Sequence, residues 1–306
     1  MRARLGINTC FAVKRWPRPA DWAPIVADEL GLELVELSLD LMPGIDSADE
    51  RERTADETRE ALGRHGLRAE TVFTGLAAYS LNLLMHPDDA ARRAAMNWYA
   101  SVVDLAARLG ARGAGGHVGA MSVPDWLDPA WRARRWAGLR AALPEIAGSA
   151  RAAGLEYLLV ENLASHREPS TIAGLESLLT DGDRDHVPVR LCLDVGHQCV
   201  PGTAGADRDP YAWLARFGGG GRLGEVQLQQ SDLLADHHWP FTAERNAAGR
   251  IDPGRVLDTL AGAGADDVLL VLEVIPPFEQ DDTGVLADLR ASAQLWRAAL
   301  SERGMG

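Results

Sequence analysis

Short apolar runs alternate along the chain with longer stretches in which apolar residues recur at helical spacing. Eight runs read as strands, at residues 4–8, 33–38, 67–73, 113–117, 157–161, 189–194, 225–229 and 268–273. Each is brief, rich in apolar residues and bounded by turn-forming residues. Between them the pattern predicts amphipathic helices, most plainly over 90–109, 131–153 and 283–301. Gly31, Gly66, Gly110 and Gly154 each follow a helical stretch and precede a strand, where a helix C-cap wants a residue tolerant of positive φ.

A strand–helix unit repeated eight times implies a parallel sheet with crossover helices. Spread over 306 residues, it gives about 38 residues per unit, a normal length for a closed barrel. The expected fold is therefore α/β, a single (β/α)8 TIM barrel with residues 1–306 as one domain. An open doubly wound sheet would advertise a glycine-rich turn after its first strand, and this strand continues instead into Asn8-Thr9-Cys10-Phe11. The glycines at 218–221 precede a strand, so they read as a flexible connection and not as a phosphate cradle.

Composition narrows the chemistry. With 46% hydrophobic and 25% charged residues the chain is an ordinary folded protein. Its 31 Lys and Arg against 44 Asp and Glu leave a net charge of −13, with no basic run, so neither nucleic acid nor an anionic membrane surface is an expected partner. Lys14 is the sole lysine and lies in a polar stretch, which sets Schiff-base catalysis aside. Cys10, Cys192 and Cys199 are too few and scattered for a disulfide framework or a cysteine-based zinc site. No signal-like apolar segment opens the chain, and a reduced, cytoplasmic setting is expected.

Active-site residues of a barrel collect at the C-terminal ends of its strands. Four consecutive runs end in polar groups: Glu161-Asn162, Asp194-Val195-Gly196-His197, Gln227-Leu228-Gln229-Gln230 and Glu273. Glu161, Asp194 and Gln227 are spaced 33 residues apart, and Glu273 follows 46 residues later, about one βα unit at each step. Any one acid alone could be a helix N-cap or a loop residue. Together they would converge on one barrel mouth, where buried carboxylates need a counter-charge. No Arg or Lys ends these strands, so a divalent metal is expected. Oxygen ligands suit Mn²⁺ or Mg²⁺, with Co²⁺ also possible. Two carboxylates beside a metal suit proton removal and return next to a carbonyl, the chemistry of an isomerase or epimerase of polyhydroxylated ketones or aldehydes.

These residues carry a resemblance. The stretches Val160-Glu161-Asn162, Leu193-Asp194-Val195-Gly196-His197 and Leu272-Glu273 resemble the xylose-isomerase-like TIM barrels, the sugar isomerase and epimerase superfamily. The segment Val226-Gln227-Leu228-Gln229-Gln230-Ser231-Asp232, followed by His237-His238-Trp239-Pro240-Phe241-Thr242, is similar to a branch handling small ketoses and sugar phosphates, of the tetrulose-phosphate and apiose type. The resemblance implies a metal held by Glu161, Asp194, Gln227 and Glu273, with Glu161 and Glu273 as the acid/base pair. It implies that His197 binds a substrate hydroxyl or carbonyl. The family usually has a histidine where this chain has Gln227, so the set becomes E-D-Q-E, with a weaker, neutral ligand that favours a hard metal.

Further candidates for contact with substrate are His117 in a small-residue setting at the end of the fourth strand, Glu36 inside the second, and Asn8 at the end of the first. Arg167, close behind Glu161, could meet an anionic or hydroxylated tail, and His238 could belong to a lid. Tyr79, Asn82 and His86 lie on a long segment that could cover the mouth. The expected activity is metal-dependent isomerisation or epimerisation of a sugar or sugar phosphate. Its rivals are a dehydratase on the same frame and a barrel that binds a polyol without turnover. A homo-oligomer is the expected assembly.

Overall fold

Eight parallel strands close on themselves in the computed structural model, which describes residues 1–306. They are β1 (Arg2–Asn8), β2 (Leu34–Ser38), β3 (Arg68–Phe73), β4 (Gly113–Gly116), β5 (Tyr157–Glu161), β6 (Val189–Asp194), β7 (Leu223–Leu228) and β8 (Asp267–Leu272). Each pairs with its successor and β8 pairs with β1, so the sheet has no open edge. The protein is a single (β/α)8 TIM barrel.

Helices Asp89–Arg108, Pro129–Ala152 and Asp282–Glu302 form where the periodicity places them, joined by Ala48–His65, Pro210–Phe217 and Pro253–Gly262. Their starts are written in the sequence as side-chain caps. Asp88 accepts from the backbone N–H groups of Ala90 and Ala91, and Ser47, Asp128, Asp209, Asp252 and Asp281 cap the other five helices. Each such cap contributes about 1 kcal/mol. Gly66 ends Ala48–His65 in the left-handed conformation, with φ at 66°, as its position between helix and strand implies. Two crossovers depart from the regular pattern. Between β1 and β2 the chain makes the short helix Pro19–Pro24 and then a π-helical turn, Ile25–Glu29, and between β5 and β6 it makes only Ile172–Glu176.

Strand alternation sorts the side chains into two unequal cores. The main one holds 73 buried apolar residues and lies mostly between barrel and helices, with Trp22, Trp213 and Trp296 fully buried in it. The barrel interior holds only small apolar groups, Leu34 with Leu269 and Val271, and Tyr157 with Leu159 and Cys192. Tyr157 fits because Gly113 faces it, and a Cβ on Gly113 would lie 2.1 Å from the tyrosine ring. Above this thin apolar floor the inward positions are polar. Glu36, Asn8, Glu161, Asp194, Gln227 and Glu273 are all at most 1% exposed, so they converge inside the barrel toward its C-terminal end.

Candidate active site

Register sets the level of each group. Asn8 lies opposite Glu36, Glu161 opposite Cys192, and Asp194 opposite Gln227, while Gln227 lies opposite Val271 on β8. Glu273 follows Val271 by two residues and so stands one inward layer above it. The strand ends thus form a staggered ring, in which Glu161, Asp194, Gln227 and Glu273 are brought together as the spacing implies.

Each member of the ring has one oxygen fixed or one nitrogen donated, and one buried oxygen with no hydrogen-bond partner. The unpartnered atoms are Glu161 Oε2, Asp194 Oδ2, Gln227 Oε1 and Glu273 Oε2. The other oxygen of Glu161 accepts from the Tyr79 hydroxyl. Asp194 Oδ1 accepts from the Gly196 N–H at 2.6 Å and from Gln229 Nε2 at 3.1 Å. Glu273 Oε1 accepts from Asn8 Nδ2 at 3.2 Å. Gln227 donates its Nε2 to Glu36 at 3.1 Å. Leaving a buried polar atom unsatisfied costs about 1–3 kcal/mol, and unpartnered oxygens at four successive strand ends are donors of the kind a hard divalent cation takes. The residues fit such an ion.

Burial governs the protonation of the two glutamates. It pushes the Glu161 carboxyl up to about 8, against the opposing pull of His197 and Tyr79. Burial, reinforced by Asp194 and Glu161, also holds Glu273 well above the usual carboxylate range. A carboxyl poised at about 8, as in Glu161, can exchange protons near neutral pH.

The histidines roof the ring. His197 Nδ1 lies 2.7 Å from the Asn162 carbonyl and 3.4 Å from Glu161 Oε1. Burial would lower the His197 pKa, but Asp194, Asp236 and Glu161 overcome it and hold the ring well above the usual imidazole range. His238 lies with Nδ1 3.5 Å from Glu273 Oε2, in a left-handed conformation with φ at 48°. Asp194, His197 and His238 offer ligand atoms within 4.8 Å of one another, so imidazole nitrogens adjoin the carboxylates. His117 stands further back. Its ring stacks on Tyr79 with centroids 4.8 Å apart, its Nε2 is 3.3 Å from the Leu81 carbonyl, and burial lowers its pKa to about 4, so it is neutral.

Three expected substrate contacts take other places. Glu36 lies beneath the ring, with Oε2 accepting from Asn8 at 2.6 Å and from Gln227. A carboxylate oxygen of Glu225 lies within 4.8 Å of it, and burial and the charge of Glu225 together push the Glu36 carboxyl well up. Asn8 is spent between Glu36 and Glu273, while its oxygen caps the Cys10 N–H. The Arg167 guanidinium donates to the Met121 carbonyl and makes no hydrogen bond to the ring.

Other site residues were not read from the sequence. Glu225 on β7 and Gln229 one residue beyond its end stand two residues either side of Gln227, a period-two relationship that could have revealed them. Asp236 has no such signal. It sits on the loop after β7, with Oδ2 3.3 Å from His197 Nε2, and Oδ1 3.0 Å from His238 Nε2 and 2.9 Å from Gln229 Nε2. Burial would raise its pKa, yet His197 and His238 hold it well below the usual range. Glu168 lies within the field of His197, and burial raises it to about 7.

Comparison with known proteins agrees with this architecture. Residues 25–297 match the model of the xylose isomerase-like TIM barrel family. The chain is 31% identical over 305 residues to the D-erythrulose 1-phosphate 3-epimerase of Brucella abortus strain 2308, covering 97% of this chain and 96% of the relative. A solved structure from Rhodospirillum rubrum, provisionally assigned as a xylose isomerase, superposes with a TM-score of 0.87 at 33% identity, over 97% of this chain and 99% of that one. The D-psicose 3-epimerase of Clostridium cellulolyticum H10, solved with D-tagatose, shares the fold with a TM-score of 0.69 at 15% identity, over 97% and 99% of the two chains.

Proposed function

The chain belongs to the xylose isomerase-like TIM barrel family and is an enzyme of the isomerase class, and from that premise we propose that it is a divalent-metal-dependent epimerase of a small ketose or ketose phosphate. The observation that carries this reading is the ring of Glu161, Asp194, Gln227 and Glu273, each with a buried, unpartnered oxygen. These four residues would hold the metal. Bound there, it would polarise the carbonyl and adjoining hydroxyl oxygens of the sugar. Mn²⁺ and Co²⁺ suit a site with imidazole close by, and Mg²⁺ suits its oxygens.

Glu161 and Glu273 carry the proton transfers. They enter from β5 and β8, with two strands between them on the barrel wall, and so reach a substrate at the axis from different sides. One carboxylate takes the proton from the carbon beside the carbonyl, giving a cis-enediolate. The other, as the acid, returns a proton to the opposite face, and the carbon is inverted with no net gain or loss of atoms. The Tyr79 hydroxyl orients Glu161, and Asn8 orients Glu273. His197 and His238 would bind substrate oxygens, and together with Asp236 they keep bulk water from the enediolate. The identity with a tetrulose-phosphate 3-epimerase supports a four-carbon phosphorylated ketose as the first substrate to try.

The test is product analysis by NMR and mass spectrometry after EDTA treatment and return of Mn²⁺, Mg²⁺ or Co²⁺, with tetruloses, pentuloses and hexuloses, free and phosphorylated. The expected result is a mass-neutral inversion that depends on metal, takes up deuterium from D₂O and disappears in Glu273→Gln. Loss of water would make the enzyme a dehydratase. Ligand-induced stabilisation with no product under any metal would make it a binding protein.

A further inference from the structure

We infer that Glu36, a layer below the ring, is a positioning residue that turns the amides of Gln227 and Asn8 into their working orientations. The inference rests on the metal-dependent reading above. A carboxamide side chain fits a given space in two ways, with oxygen and nitrogen exchanged, and its neighbours decide which way it settles. For Gln227 the difference is functional, because its oxygen can serve a cation and its NH₂ cannot.

One atom makes that choice. Glu36 Oε2 accepts from Gln227 Nε2 at 3.1 Å and from Asn8 Nδ2 at 2.6 Å. An unprotonated carboxylate oxygen can only accept, so both NH₂ groups must face it. Gln227 Oε1 is then left buried and unpartnered, as a ligand atom should be. The second hydrogen of Asn8 Nδ2 is directed to Glu273 Oε1 at 3.2 Å, and the Asn8 oxygen is fixed by the Cys10 N–H at 2.8 Å. Below Glu36 lies Glu225, with a carboxylate oxygen within 4.8 Å of it and with its Oε2 accepting from the Thr71 hydroxyl at 2.8 Å. Both hydrogen bonds of Glu36 Oε2 go to the two amides it orients. A carboxamide oxygen binds metal less strongly than an imidazole nitrogen, and only one end of the amide can ligate, so its orientation decides whether Gln227 can serve a cation at all.

The experiment is a Mn²⁺ titration of the EDTA-stripped full-length protein, followed by the EPR signal of free Mn²⁺, on wild type, Glu36→Leu, Glu36→Asp and Glu36→Gln. Leucine removes the acceptor, and aspartate is one methylene too short to reach both amides. In both, Mn²⁺ affinity is expected to fall about 10–100-fold. Glutamine keeps an acceptor oxygen facing Asn8 and Gln227 and turns its own NH₂ to Glu225, so it is expected to retain most of the affinity. With saturating Mn²⁺, Glu36→Asp should lower kcat while leaving KM unchanged, because Glu36 does not touch substrate. If Glu36→Leu does not fold, the contrast between Asp and Gln decides alone. Wild-type affinity in Glu36→Asp, or a loss in Glu36→Gln equal to that in Glu36→Asp, would overturn the inference while the metal-dependent reading stands. A wild type that takes up no Mn²⁺ would end both.

Discussion

Asp236 Oδ2 stands 3.3 Å from His197 Nε2, so a loop carboxylate and a strand-end imidazole close the barrel mouth from above. The same carboxylate holds His238 and Gln229, and the loop that delivers it passes through left-handed conformations at Leu233 and His238. Non-glycine residues keep such conformations only where their surroundings insist on them. Asp236→Asn should therefore loosen the loop. Hydrogen bonds to a charged group are worth about 1.5–3 kcal/mol, so chymotryptic cleavage beside the exposed Leu234 should quicken about tenfold or more. An unchanged cleavage rate would mean that the loop is held by other contacts.

Glu161→Gln and Glu273→Gln should each lower kcat by about 10²–10⁴-fold, the usual worth of a positioned acid or base. Both variants keep side-chain length and, metal-free at neutral pH, should unfold near the wild-type temperature, since burial already keeps these carboxyls largely protonated. Near-wild-type turnover in either would remove that residue from the proton-transfer pair.

Tyr79→Phe removes the hydroxyl that donates to Glu161. That bond favours the carboxylate and lowers its pKa, so without it the Glu161 pKa rises. The acid limb of the kcat/KM profile should then move to higher pH. A profile that stays in place would show that another group sets the limb.

Metal-free protein should lose stability between pH 6.5 and about 8. Glu161 has a folded pKa raised to about 8 from an ordinary 4.5, so its contribution is complete at low pH and fades as pH rises through 8. Raised His197 acts in the same direction. His117 acts the other way, because its pKa is lowered to about 4, but its gain is complete once the pH passes 6.5. Thermal melts across this window should fall for the stripped wild type and flatten in Glu161→Gln. Added Mn²⁺ should reverse the fall, since the cation replaces the missing protons as counter-charge.

Gln227→His should tighten Mn²⁺ binding, because an imidazole nitrogen is a stronger ligand than a carboxamide oxygen. The same titration measures it. Unchanged affinity would place Gln227 outside the ligand set.

The barrel was legible in the sequence because its causes are local. Strand runs, caps such as Asp88 and the left-handed Gly66 all depend on neighbours within a few residues. The convergence of Glu161, Asp194, Gln227 and Glu273 was legible too, since equal spacing in a repeating βα unit puts strand ends at one mouth. Periodicity states which face a side chain takes but not how deep it sits or what it meets across the axis. Thus Glu36 and Asn8, read as lining residues, lie under the ring and serve it from below, because Asn8 stands level with Glu36 in the β1–β2 register and bridges it to Glu273. Asp236 and Tyr79 come from irregular segments whose paths are set by long-range contacts, and only the closed structure carries them over the site.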